Sequence, residues 1–429
     1  MYFYNQRFKF KIPALTRAIK GSIIAASAIS AIDLQKRPFE EHSHLKRRFL
    51  DPQLYMASVD AAIDPKTVSR LAAYPWFHGD DVPKYDSDEY STRTQWKKQH
   101  WEDLVSKWTR TVPTELNAVK KAARAAVEFQ LTLGCEGILL AVPLTTIADQ
   151  TLQTEIAWIE AGLDACAALK VRQPVFATVA LSEAALQVPA LRNPVLHSFA
   201  NQVAARSELA GAYVVLEQAD KDNYFWTSKD ALMSLLIITD DLHRGARKRV
   251  LTNYVGTFGL VAKAVGAEIW SSGYYLMQRR FSLRGTVGRA YPRYHSLSLA
   301  GDIGLNEDLD HIQAAGLAGQ CMTPSTADAV LRTALGRGRK TSDVNEWECR
   351  QSNCTAAQQH YLEVVSAAGD DLESMSLGAR RTWVHNWLEN ALKLARELKR
   401  KGLIGTGTTA EHQQVWFDVF NEWQSYAKQ

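Results

Sequence analysis

Cysteine and histidine are the usual zinc-holding side chains, and a structural zinc site uses four ligands. In this 429-residue chain Cys349 and Cys354 stand five positions apart, and His385 follows on a helical stretch. These three would supply most of a zinc site, and His360 or Cys321 could complete it, though neither spacing is diagnostic. Two reduced cysteines near a helix start would look the same. A second group suits an anion. Gly256-Thr-Phe-Gly259 follows a short apolar run and opens a helix, where free backbone N–H groups can meet negative charge. Arg279 and Arg280 add positive charge nearby, which makes contact with phosphate or a nucleic-acid backbone plausible. Glycine also serves such turns for steric reasons alone. A third group comprises Asp51 and Gln53, Glu217, Asn253 and Tyr254, and Ser271 and Tyr274, with Asp302 a weaker member. Carboxylates among them can act as nucleophile, general base or ligand for an amide.

The elements that must position these groups follow a repeated rhythm. Apolar runs ending at Asp51, Leu144, Leu181, Glu217, Tyr254 and Ser271 alternate with amphipathic stretches such as Asn117 to Leu133, which stops at Gly134. His295 to Ala300 reads as a seventh strand and Gly319 to Met322 as a weak eighth. Strictly alternating strands and helices predict a parallel sheet, and seven or eight units favour a closed (β/α)8 TIM-like barrel over an open doubly wound sheet. In such a barrel the active site lies at the C-terminal ends of the strands, where the third group falls. Residues 1–40 read as a loosely held arm, 41–340 as the barrel, and 341–429 as a helical region that could carry the zinc.

Composition narrows the class. The apolar fraction of 46% and charged fraction of 22% are those of an ordinary globular chain, and a net charge of +4 does not by itself call for a polyanionic partner. Five scattered cysteines argue against a secreted disulfide framework. No apolar run spans a bilayer, and the run Ile23 to Ile32 follows a basic stretch containing Pro13, a poor signal-peptide layout. A cytoplasmic protein with no membrane contact is expected.

The order of segments resembles the tRNA-guanine transglycosylase family, whose members are zinc-containing (β/α)8 barrels that exchange a purine for a 7-deazapurine, with relatives acting on DNA. Cys349 and Cys354 match the outer cysteines of the family's C-x-C-x-x-C cluster, Gln351 stands at the middle one, and His385-Asn386 leads a helix as the family's His-Asn pair does. Phe49-Leu50-Asp51 resembles the family's first catalytic strand, and Asn253 to Ser271 its glycine turn and nucleophile strand. Ser271 stands where the family has its nucleophilic Asp, so of the family's acids Asp51 alone remains.

The resemblance implies a transglycosylase-like protein acting on a base in tRNA or DNA. Asp51, Glu217 and Ser271 would be the catalytic set. Gln53, Asn253, Tyr254, Gly256, Tyr274, Arg279 and Arg280 would contact the guanine or 7-deazapurine base and its nucleic acid, and zinc would sit on Cys349, Cys354 and His385. The alternative is a catalytically silent relative that binds nucleic acid or a partner subunit, or pairs with itself as a homodimer. An unrelated barrel enzyme is a third reading.

Overall fold

The computed structural model describes the chain apart from residues 6–18, 37–44, 46, 60, 62–63, 80, 84–91, 109–110, 148, 220–224, 274–277, 284–291, 349–354, 406–407, 409 and 429. Eight strands form one curled sheet: β1 (Tyr2–Asn5), β2 (Gly21–Ala25), β3 (Arg47–Asp51), β4 (Ile138–Leu139), β5 (Val175–Leu181), β6 (Leu209–Leu216), β7 (Arg249–Thr252) and β8 (Ile269–Ser272). Their order is β3-β2-β1-β8-β7-β6-β5-β4 and every pairing is parallel. The Glu136 N–H, just before β4, donates to the Arg48 carbonyl of β3 at 2.9 Å.

The strands read as continuous apolar runs because both faces of the sheet are covered. Alternate residues part into two separate cores. Phe49, Leu139, Phe176, Tyr213, Val215, Leu251 and Ile269 fill the concave face. Leu50, Ile138, Val179, Val214, Val250 and Trp270 pack the convex face against helices such as Leu116–Thr132, Gln153–Ala168, Pro189–Ala205 and Lys229–Asp240. A one-residue slip would exchange the two sets, so the registers are firmly specified.

Six of the expected strands are present and two are not where the rhythm placed them. The stretch read as a loose arm supplies β1 and β2. Tyr2 lies opposite Gly21 on one side and Ser271 on the other, which fills the gap between β8 and β3. The expected seventh strand is instead half of an antiparallel hairpin, β9 (Arg293–Ser296) with β10 (Gly301–Gly304). This pairing satisfies its backbone locally, and Tyr294 and Ile303 face a third core, with Leu331, Trp347 and Leu398, away from the sheet. The expected eighth strand is the short helix Ala318–Cys321. The C-terminal stretch read as helical carries long helices at Thr355–Ser374, Leu377–Arg400 and His412–Tyr426.

Gly211 marks where β6 and β7 press together: a Cβ there would fall 1.8 Å from the Arg249 carbonyl oxygen, a backbone atom that cannot swing aside. Gly134 differs, with φ of +66° and open space around it. We expect Gly134→Ala to cost about 1–2 kcal/mol from its left-handed backbone. Gly211→Ala should cost at least about 4 kcal/mol or prevent folding. Urea unfolding of the two variants would separate strain from overlap, and equal costs would contradict the pairing of β6 with β7.

Candidate functional site

The polar residues expected at the C-terminal ends of the strands do gather on the concave face. Asp51 ends β3 and is fully buried. Its carboxylate accepts from the Gln53 N–H at 3.1 Å, from the Tyr213 hydroxyl at 2.9 Å and from the Tyr55 hydroxyl. Asn253, just past β7, donates its amide N–H to the Tyr213 oxygen at 2.6 Å, and its carbonyl accepts from Ser271 of β8 at 2.5 Å. One directed chain of hydrogen bonds therefore runs Ser271, Asn253, Tyr213, Asp51 across the interior. Burial, and then the nearby Asp51 and Tyr254, push the Tyr213 phenol well above its usual range, so it remains a donor. Arg48 lies on the opposite face of β3 from Asp51 by strand alternation. Arg47, at the strand's far end, is 3.5 Å from Glu136.

Two residues of this layer are held in left-handed backbone: Gln53 with φ of +52° and Tyr254 with φ of +61°. Neither is glycine, and such conformations persist only where the surroundings enforce them. Both are enforced alike. Trp76 donates its indole N–H to the Pro52 carbonyl, and Trp226 donates to that of Tyr254, each at 3.0 Å. The Gln53 side chain then bridges the two turns, donating to the Tyr254 hydroxyl at 3.2 Å and accepting from the Ser27 N–H at 2.8 Å. Phe281 closes the layer from above, 5.1 Å from the Tyr55 ring and 5.5 Å from the Tyr254 ring.

Glu217 has a different occupation. Its carboxylate takes the N–H groups of Glu183 at 3.3 Å and Leu283 at 3.4 Å, and so ties the loops after β5 and β8 to the end of β6. Asp51 and Glu217 are thus each held by their own set of groups. Ser271 is a buried donor rather than an exposed nucleophile. Arg279 and Arg280, read as phosphate holders, are buried. Arg279 pairs with Asp302 at 2.7 Å and lies 3.4 Å over the Tyr361 ring. Gly256 has φ of +52°, and Arg279 packs against it where a side chain would stand. Tyr274 lies outside the described residues.

Sequence reasoning missed Tyr55 and Tyr213, and it named Asp302 and Arg279 without seeing that they pair with each other and with His295. Tyr213 had a signal: it is the one phenol in an otherwise apolar strand, on the same face as Glu217 four residues on. Around Asp302, His295 Nδ1 approaches Oδ1 at 2.7 Å, and His295 Nε2 lies 3.4 Å from the Thr257 hydroxyl. Burial opposes the charge of Asp302, but Arg279 and His295 outweigh it and hold that carboxyl well below the usual range. Burial lowers the pKa of His295, against Asp302, which raises it.

The zinc expectation is corrected. Cys349 and Cys354 lie outside the described residues. His385 Nδ1 is 3.1 Å from the Asn421 amide oxygen, with its ring beside Phe417. Among the described residues no group of three or more His, Cys, Asp or Glu could hold a metal ion. His360, a candidate fourth ligand, uses both ring nitrogens on Ser325 and the His295 carbonyl.

No family model matches the chain, and no curated protein does. Comparison with solved structures finds the methanol:cobalamin methyltransferase complex MtaBC from Methanosarcina barkeri, at 11% identity and a TM-score of 0.27, covering 72% of this chain and 81% of that one. A likeness that slight carries no argument about what this chain does. The transglycosylase resemblance is not upheld: no family model matches, Asp51, Glu217 and Ser271 are each held by groups of the protein itself, and among the described residues no group could hold a metal ion. The expected nucleic-acid contact, whether catalytic or silent, falls with it, since its arginines are buried. Among the described residues no helix is long and apolar enough to cross a membrane.

Two buried histidines make the stability depend on pH. Burial lowers His412 to about 4 and His360 to about 3, against 6.5 in an unfolded chain. Below pH 6.5 the unfolded chain takes up protons that the folded one refuses, so stability is full above 6.5 and falls toward pH 4 and below. We expect the urea midpoint to drop steadily from pH 7 to 4, and to drop less in His412→Gln. A variant with an unchanged slope would show that His412 does not drive the loss.

Proposed function

We propose that the sheet closes into a (β/α)8 barrel and that the chain is an enzyme acting on a small polar molecule by proton transfer at the C-terminal ends of its strands. Closure is supported by the Glu136–Arg48 hydrogen bond between the outermost strands. It is also supported by Asp51 of β3 reaching Tyr213 of β6, and by Phe49 of β3 packing 6.0 Å from Phe176 of β5. The observation that carries the reading is a buried carboxylate set between two strained, non-glycine turns at the end of the sheet where barrel enzymes work. Strained residues of this kind cluster at active sites and ligand clamps, where their surroundings hold them in place.

In this reading Asp51 is the base, with Tyr55 and Tyr213 as its phenolic donors. The chain from Ser271 through Asn253 fixes the Tyr213 hydroxyl, so a proton taken by Asp51 arrives at a defined oxygen. Gln53 and Tyr254 form the wall nearest the mouth, and Glu217 holds the loops that carry Phe281 over it. With Phe281 down the layer is dry, which strengthens every interaction inside it. Substrate entry requires the Phe281 segment to lift. Three buried thiols that make no disulfide, Cys135, Cys166 and Cys321, fit a reducing cytoplasm.

The test is a thermal-shift screen of small polar compounds against the unmodified protein and Asp51→Asn. A ligand at a hundred times its dissociation constant stabilises by about 2.7 kcal/mol. We expect at least one compound to raise the melting temperature of the unmodified protein and to leave Asp51→Asn unmoved, with Tyr213→Phe reducing turnover of that compound by at least about a hundredfold. If every stabilising compound acts equally on Asp51→Asn, the network is structural and the site lies elsewhere.

A further inference from the structure

A second feature shares no residue with the Asp51 network. The helix Leu377–Arg400 carries Trp383, Asn386, Trp387, Asn390 and Leu394 along one stripe, and with Ser298 and Gln320 they line an open groove of about 470 Å³. That volume falls within the range of small-molecule sites. Trp387 is largely buried and fixed, its indole N–H donating to the Leu297 carbonyl at 2.6 Å. Trp383 is half-buried and stacks on it, with ring centres 5.6 Å apart and planes 24° apart. Trp383, stacked on the fixed Trp387, gives the groove its aromatic surface.

The rim is polar and uncharged. Ser298, Gln320, Asn386 and Asn390 are exposed, and among the described residues none of their side chains makes a hydrogen bond within the protein. Among the described residues no ionisable side chain lines the groove. Several charges of the helix pair with one another or with its neighbours: Lys393 with Glu389 and Lys401 with Glu397, each at 2.8 Å, and Arg396 with Gln414.

We infer that the Trp383–Trp387 groove is a binding site for a neutral saccharide. The ligand must be uncharged, since the lining offers no counter-charge to a phosphate, carboxylate or ammonium. It must present an apolar face to the indoles, and a pyranose ring does so with its C–H bonds. It must also both donate and accept around its edge, as hydroxyls do, because amide and hydroxyl side chains offer both roles. The polar groups come from three separate elements, the helix Leu377–Arg400, the segment just after β9 and the short helix Ala318–Cys321, so more than one hydroxyl can be met at once. The site is independent of the Asp51 network.

The experiment is saturation-transfer NMR and calorimetry on the full chain with maltose, cellobiose and N,N′-diacetylchitobiose, and with guanosine as a neutral planar competitor. We expect at least one saccharide to bind with a dissociation constant of about 1 mM. Trp383→Ala should weaken it at least tenfold and Asn386→Ala or Asn390→Ala severalfold, while Trp383→Phe keeps part of the affinity. Trp383 is half-exposed, so its variants should melt near the unmodified protein, and the asparagine variants serve should they not. The inference is overturned if no saccharide binds, if binding is unchanged in these variants, if guanosine binds in place of the sugars, or if sedimentation shows two copies of the chain joined through the groove.

Discussion

A carboxylate taken out of water must be met by donors, because an unmet buried charge costs more than most other contacts return. Asp51 is the residue around which the sheet's C-terminal end is arranged. Its donors come from the turn that follows it and from β6, and the β6 phenol is in turn oriented by β7 and β8. Four strands thus share one hydrogen-bond chain. Moving any one would strand a polar atom in a dry layer, so the network fixes the relative height of the strands as well as the identity of the site.

The same demand explains the two left-handed residues. Gln53 must turn sharply to bring its N–H back to Asp51, and Tyr254 must turn to leave Asn253 facing Tyr213. Each turn exposes a backbone carbonyl in the interior, and an indole N–H from Trp76 or Trp226 satisfies it. Large buried tryptophans therefore act as polar clamps as well as filling. Trp416 repeats the device one layer out, donating to the carbonyl of Trp226 itself at 2.7 Å.

The C-terminal region is bound to the sheet through a second buried charge, Asp302. Arg279 reaches it from the segment after β8, His295 reaches it from the partner strand of its hairpin, and Tyr361 stacks on Arg279 while its hydroxyl meets Ser272 of β8 at 2.9 Å. Residues that look in sequence like a basic surface patch are thus the attachment of one core to another. A guanidinium suits the place, since it pairs with a carboxylate and stacks on a ring at once.

The sequence by itself determined the alternation of strands and helices from Arg47 to Ser272, since apolar periodicity is local and survives without knowledge of partners. It also placed Asp51, Asn253 and Ser271 at strand ends, because polarity at the end of an apolar run marks where a strand leaves the core. Tertiary structure decided what those residues touch. Whether Asp51 faces Glu217 or Tyr213 depends on how far the sheet curls, and whether Arg279 faces solvent or Asp302 depends on a hairpin that local pattern reads as another strand. β1 and β2 were illegible for a related reason: short strands flanked by basic residues gain their identity from the neighbours they pair with, here Ser271 on one side and Arg47 to Asp51 on the other. The motifs that suggested a zinc-bearing base-exchange enzyme were spacings of single residues. Such spacings carry meaning only when the fold turns the side chains toward one another, and here His385 is turned to Asn421.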